Sequence, residues 1–335
     1  MNNSRISRRS RTRLRGVSLI ELMIALVISL ALIGGAIQVY VYSRKHYEDN
    51  EGVARLQETA RYALSVIEPD IRMANSWGLL KGSGFVEVNP AGFNTDCGTN
   101  FAGNVMATLD GDNNQYGFGC PANGAGAIAT ADTLIVRRAS VLPTTSTDAH
   151  LVVCSTRTIG RLVASDSGTP CPPAPIGQLN DLVVNAYYIG RDADQRAGLP
   201  TLRRWTLGGM TAPNGAATNE AEIVPGVEDL QIQYGVDPTG TAGTAVRYVN
   251  PGQVTAGSQV VSVRVWLLVR GETPEQDLPA YDTPFVYGDR SILNGTTGDL
   301  NDPGAATRAY LPPPTDRFRR LLVSRTFQIR NAMGI

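Results

Sequence analysis

A chain of 335 residues with 42% hydrophobic content is long enough for one large core or two modest ones and too apolar to be disordered. Basic and acidic residues balance at 30 each, yet Arg5, Arg8, Arg9, Arg11, Arg13 and Arg15 all precede the first apolar run. Without residues 1–16 the remainder is net acidic by six charges, which argues against a nucleic-acid-binding head, and 35 glycines, 20 prolines and 7% aromatics argue against a helical bundle.

The first predicted element is a membrane-spanning helix. From Leu22 to Tyr42 the run LMIALVISLALIGGAIQVYVY carries no charge, and about 20 apolar residues suffice to cross a hydrocarbon core. The arginines on its N-terminal side predict a cytoplasmic N-terminus, with the bulk of the chain beyond the inner membrane of a bacterium, in the periplasm. A secretory signal would end in small residues on the far side of a shorter apolar stretch, and none is evident. Instead Gly16 separates the basic leader from the apolar run in R-G-V-S-L-I-E-L-M-I-A-L.

This segment resembles the prepilin cleavage and methylation motif of type IV pilins and type II secretion pseudopilins. The resemblance implies that prepilin peptidase cuts between Gly16 and Val17, that Val17 becomes an N-methylated terminus, and that Glu21 is the assembly glutamate. Val17 stands where the family usually has phenylalanine. A physical case for Glu21 exists beside the family. A carboxylate within an apolar helix costs ~2.5–3.5 kcal/mol at the centre of a span, so it needs a partner. A free amine at Val17 would lie four residues away, roughly 6 Å along a helix. In a filament that amine can come from the neighbouring subunit. Gly34 and Gly35 allow close backbone approach or are merely tolerated.

After Arg44 and Lys45 the chain turns polar, but Val53, Leu56, Ala60, Ala63, Leu64, Ile67, Ile71 and Ala74 recur three and four apart, predicting an amphipathic continuation of the helix to about Asn75. Pro69 removes one donor, so a kink rather than an end is expected there. The segment from Ala54 to Ala74, ending D-I-R-M-A, also resembles the second helical half of PilW-type minor pilins.

The head should be mostly β and loop. Strands are predicted at Asp132–Arg138, His150–Ser155, Leu182–Ile189, Thr201–Leu207, Glu228–Gly235, Val260–Arg270 and Arg319–Ile329. Alternation in Leu230-Gln231-Ile232-Gln233-Tyr234 predicts an antiparallel sheet with one face covered, the amphipathic helix being its cover. The stretches at 78–130, 236–258 and 272–317 read as loops in which family members differ. Cys97, Cys120, Cys154 and Cys171 lie on the translocated side, where an even count favours disulfides. Three pairings are open, and short loops favour Cys97 with Cys120 and Cys154 with Cys171.

Three further pieces resemble the PilW group and the related J-type pseudopilins: G-V-E-D-L-Q-I-Q-Y-G from Gly226, V-S-V-R-V-W-L-L-V-R-G from Val261 and R-R-L-L-V-S-R-T-F-Q-I-R-N from Arg319. The resemblance implies an α+β, type IV pilin-like fold. Its parts are a cleaved leader (1–16), a transmembrane and filament-core helix (17–43), an amphipathic continuation (44–76) and a periplasmic head (77–335). It implies a minor pilin that helps start, assemble or cap a type IV pilus. The partners would be other minor and major pilins, prepilin peptidase, the inner-membrane assembly platform and membrane lipid, with no nucleic acid. The alternatives are a minor pseudopilin of type II secretion and, more remotely, a membrane-tethered periplasmic enzyme or sensor.

No enzymatic chemistry or cofactor is expected. His150 with Asp148 is the only histidine–carboxylate pair of the head, and no G-x-S-x-G elbow accompanies it. His46 and His150 lack metal-ligand spacing with the cysteines. Asp110, Asp112 and Asn114 offer oxygens at alternate positions, a weak calcium pattern for which ordinary turn chemistry is the favoured reading.

Overall fold

The structure, a computed structural model, describes residues 16–82, 84, 86–88, 93–144, 150–164, 177–212, 215–292 and 296–331. They belong to two compact units that divide between Gly52 and Val53. The helix α1, Leu19–Met73, contributes to both.

In the first unit α1 is apolar on every side from Leu22 to Tyr42, and its aliphatic residues there are exposed, Leu32 at 70% and Val39 at 70%. An all-round apolar helix belongs in lipid or in a bundle, and this one is long and apolar enough to cross a membrane.

In the second unit α1 becomes amphipathic. Leu56, Ala60, Ala63, Leu64, Ile67 and Ile71 are buried, and their spacing keeps them on one stripe. The helix runs through Pro69 and stops at Met73, two residues short of the expected end. Asn75 explains the stop, since its φ of 63° is the left-handed conformation that closes helices.

The strands that follow are β1 (Ser76–Trp77), β2 (Leu80–Lys81), β3 (Val86–Glu87), β4 (Asn94–Thr95) and, after the short helix α2 (Thr99–Gly103), β5 (Leu109–Asp110). Next come β6 (Leu134–Pro143), β7 (Leu151–Ser155), β8 (Gly160–Ala164), β9 (Gln178–Gly190), β10 (Thr201–Ala212) and β11 (Gly215–Pro225). The last are β12 (Val227–Asp237), β13 (Arg247–Val249), β14 (Gln259–Arg270) and β15 (Arg320–Gln328). β1 and β2 form a hairpin, and nine strands form a sheet in the order β3-β8-β7-β9-β10-β11-β4, with β6 pairing both β9 and β5. A second, antiparallel sheet has the order β13-β12-β14-β15. Every long pairing is antiparallel. The two parallel ones, β3 with β8 and β11 with β4, are two residues long.

The expectation of one covered face is corrected. Along β9, Tyr187 and Ile189 enter a core with α1 and the second sheet, whereas Leu182, Val184, Ala186 and Tyr188 enter another core. That second core is built by Trp77 and by the stretch read as loop, through Leu80, Phe93, Phe101, Val105 and the joined pair Cys97 and Cys120. Both faces of the nine-stranded sheet are therefore covered. Nor is β12 half exposed: Gln231 is buried and donates through Nε2 to the Thr130 carbonyl at 3.2 Å. Its polarity serves an internal partner.

Candidate assembly site

The functional residues expected from the sequence sit at the start of α1. Gly16 and Val17 precede the helix, the Leu22 N–H donates to the Ser18 carbonyl at 3.1 Å, and Glu21 lies in the first turn. Among the described residues, no atom lies within 4 Å of where a Cβ on Gly16 would stand, so internal packing does not explain the glycine. Glu21 is exposed among exposed aliphatics, Ile20 at 66% and Leu22 at 60%. Gly34 and Gly35 are equally uncrowded among the described residues.

A second site is one that sequence reasoning missed. Asp70 lies on the buried stripe of α1 where its phase calls for an apolar residue, and it is 5% exposed. Its Oδ2 accepts from Asn185 Nδ2 and from the Tyr187 hydroxyl, each at 2.6 Å, and its Oδ1 accepts from Arg138 Nε and Nη2 at 3.2 and 3.0 Å. One carboxylate thus ties the helix to β6 and β9. Burial, and next the Asp70 carboxylate, hold the Tyr187 phenol far above its ordinary pKa, so the hydroxyl remains a donor. The signal was present as a charged residue in an apolar phase.

Other buried charges fasten the long connections to the sheets. Arg320 pairs with Glu228 at 2.5 Å and Asp316 at 2.7 Å, and Arg290 pairs with Asp229 at 2.7 Å while donating to the Thr130 carbonyl at 2.8 Å. Burial pushes the Asp132 carboxyl well above the usual range, although the Asn114 and Ile232 N–H groups donate to it.

The oxygens of the calcium pattern are engaged in this framework. Asp110 Oδ1 accepts from the Gly111 N–H, Asp112 Oδ2 faces the Thr133 hydroxyl at 3.5 Å, and Asn114 Oδ1 accepts from Gln231 Nε2 at 3.3 Å. Among the described residues no group of three metal-binding side chains gathers. His150 Nε2 meets Asp181 Oδ1 at 2.7 Å, while Asp148, its expected partner, lies outside the described residues. Cys97 and Cys120 are joined by a disulfide. Cys154 is buried in β7, and Cys171 lies outside the described residues.

Two family descriptions match the chain. Type IV Pilus-assembly protein W matches residues 186–331, from the end of β9 through β15, and the prokaryotic N-terminal methylation motif matches residues 11–37, which include Gly16, Val17 and Glu21. The segment from Ala54 to Ala74 lies outside both spans. No curated protein matches the chain. Among solved structures, it is similar to a type IV-like pilin from Thermus thermophilus at 12% identity and a TM-score of 0.37, over 84% of this chain and all of that one.

Proposed function

We propose that this chain, a PilW-type minor pilin, is cut after Gly16 and helps start, assemble or cap a type IV pilus through its N-terminal helix and its head. One observation carries the reading: a methylation-motif segment with Glu21 leads into a helix whose aliphatic side chains remain exposed. Such a surface suits lipid before assembly and neighbouring helices afterwards. The family matches point to a structural rather than a catalytic protein.

In the membrane Glu21 can hold its carboxylate near the headgroups. A subunit drawn into a filament leaves lipid and water behind, and the charge then needs a partner. The amine of Val17 on a neighbouring subunit supplies it, and only after cleavage. Prepilin peptidase, the assembly platform and sibling pilins are therefore the expected partners.

Replacing Glu21 with alanine tests this pairing. Insertion and cleavage depend on the arginines, Gly16 and apolar length, so mature Glu21→Ala protein should reach the membrane at parental levels. Recovery in sheared filaments should fall by more than about tenfold, since removing one partner of a buried charge pair costs ~2 kcal/mol or more. Parental recovery in filaments would reduce Glu21 to a tolerated interfacial residue.

A further inference from the structure

The sheet edges of the head differ in how they are closed. The larger sheet ends on β3 and β4, two residues each, and the smaller begins on β13, three residues long. Strands this short offer little to an incoming chain. β11 is broken by register shifts against β10 and bears Glu220 and Glu222. β6 ends in a register shift and Pro143. Short strands, bulges, charges and proline are the devices that blunt an edge.

β15 is neither short nor bulged, and its only charged residues are Arg320 and Arg325. Its nine residues, Arg320–Gln328, align with β14 without a register shift and contain no proline, and on the side away from β14 no strand lies among the described residues. The ladder fixes which groups face outward. The Ile329 N–H donates to the Val261 carbonyl and the Arg319 carbonyl accepts from Gly271, so odd-numbered residues turn their polar groups to the β14 side. Even-numbered residues turn theirs away. At the two ends the chain meets these itself: Arg320 N–H donates to the Tyr281 hydroxyl at 2.8 Å, and Arg330 N–H donates to the Arg72 carbonyl at 3.1 Å. Between them the N–H groups of Leu322, Ser324, Thr326 and Gln328 have no partner among the described residues, a row spanning ~20 Å at about 3.3 Å per residue.

The charge beside this row is in cationic surplus. Glu68 is shared by Arg72 at 2.5 Å and Arg325 at 3.0 Å, and exposed Arg330 follows. A second copy of β15 would set these arginines against their own kind, which is unfavourable across a strand pair.

We propose that the outer edge of β15 is a pairing surface for an extended, carboxylate-bearing segment of a different filament subunit, which adds as a fifth strand of the smaller sheet. The proposal rests on the filament reading above. Backbone hydrogen bonds hold such a strand, and its carboxylate meets Arg325 and Arg330.

The test compares amide hydrogen exchange of the mature full-length chain in detergent and in sheared filaments. The Leu322, Ser324, Thr326 and Gln328 amides should exchange quickly in detergent and at least about tenfold more slowly in filaments, while Leu321, Val323, Arg325 and Phe327 stay slow in both. Thr326→Pro removes an outward donor without touching the β14 ladder. It should keep the parental melting midpoint and lose filament entry. Should this variant melt early, Arg325→Glu reads the same surface through charge and should also lower entry. Unchanged fast exchange of the four amides in chains recovered from filaments overturns the pairing and leaves the pilin reading intact. Absence of the parent chain from filaments overturns both. Protection of the same amides by self-association in detergent identifies a second copy as the partner and overturns the heterologous assignment.

Discussion

At the scale of the residue, the buried carboxylate of Asp70 decides how the helix meets the sheet. Removing it leaves Arg138, Asn185 and Tyr187 with donors that have lost their acceptor in a largely dry setting. Breaking a buried ion pair from one side costs ~3–5 kcal/mol, whereas Asn in the same place keeps one acceptor. Asp70→Ala should therefore lower urea stability of the solubilised chain by about 3 kcal/mol or more, and Asp70→Asn by less. Tryptophan fluorescence reports it, because Trp77 is fully buried in the head. An alanine variant within ~0.5 kcal/mol of the parent, the range of a surface substitution, would show that these bonds add nothing net. Gly16 and Glu21 were singled out from a short local segment through its resemblance to the prepilin motif. Asp70 was not, because periodicity marks an apolar face and passes over a polar residue whose partners lie 68 to 117 positions away.

At the scale of the element, most long strands were visible because their β-branched runs alternate or cluster. β12 and β14 lie within a residue or two of their expected bounds. β11 was missed, since Gly-Ala-Ala-Thr-Asn-Glu-Ala-Glu offers few strand formers and is held by pairing with β10 and by Glu220 against Arg203. The expected loop at 78–130 proved to be half of a core for a similar reason: its apolar residues are scattered among turns, and its only long-range mark is the cysteine pair. The bond between Cys97 and Cys120, 23 residues apart, closes that segment in the unfolded chain as well. A double serine substitution at Cys97 and Cys120 should cost roughly 3 kcal/mol. For a head of this size, that is a fall of about 5 °C in melting midpoint. An unchanged midpoint in the double variant would mean that the aromatic packing around the pair holds the segment unaided.

At the scale of the whole molecule, charge is unevenly distributed along the chain. Residues 1–16 carry six arginines and the whole sequence balances to zero, whereas the chain from Val17 onward is net acidic by six. Under the proposed processing, cleavage after Gly16 would remove those arginines and create the amine that Glu21 requires. The methylation motif and the apolar helix fit a membrane-anchored pilin, and the described part of the head is braced by buried ion pairs. The order of events gives the central claim its most direct measurement, N-terminal sequencing and intact mass of the chain recovered from sheared filaments. The account predicts a chain that begins at Val17 and lies in filaments beside sibling pilins. A chain that keeps Met1, or that never leaves the membrane fraction, would contradict it.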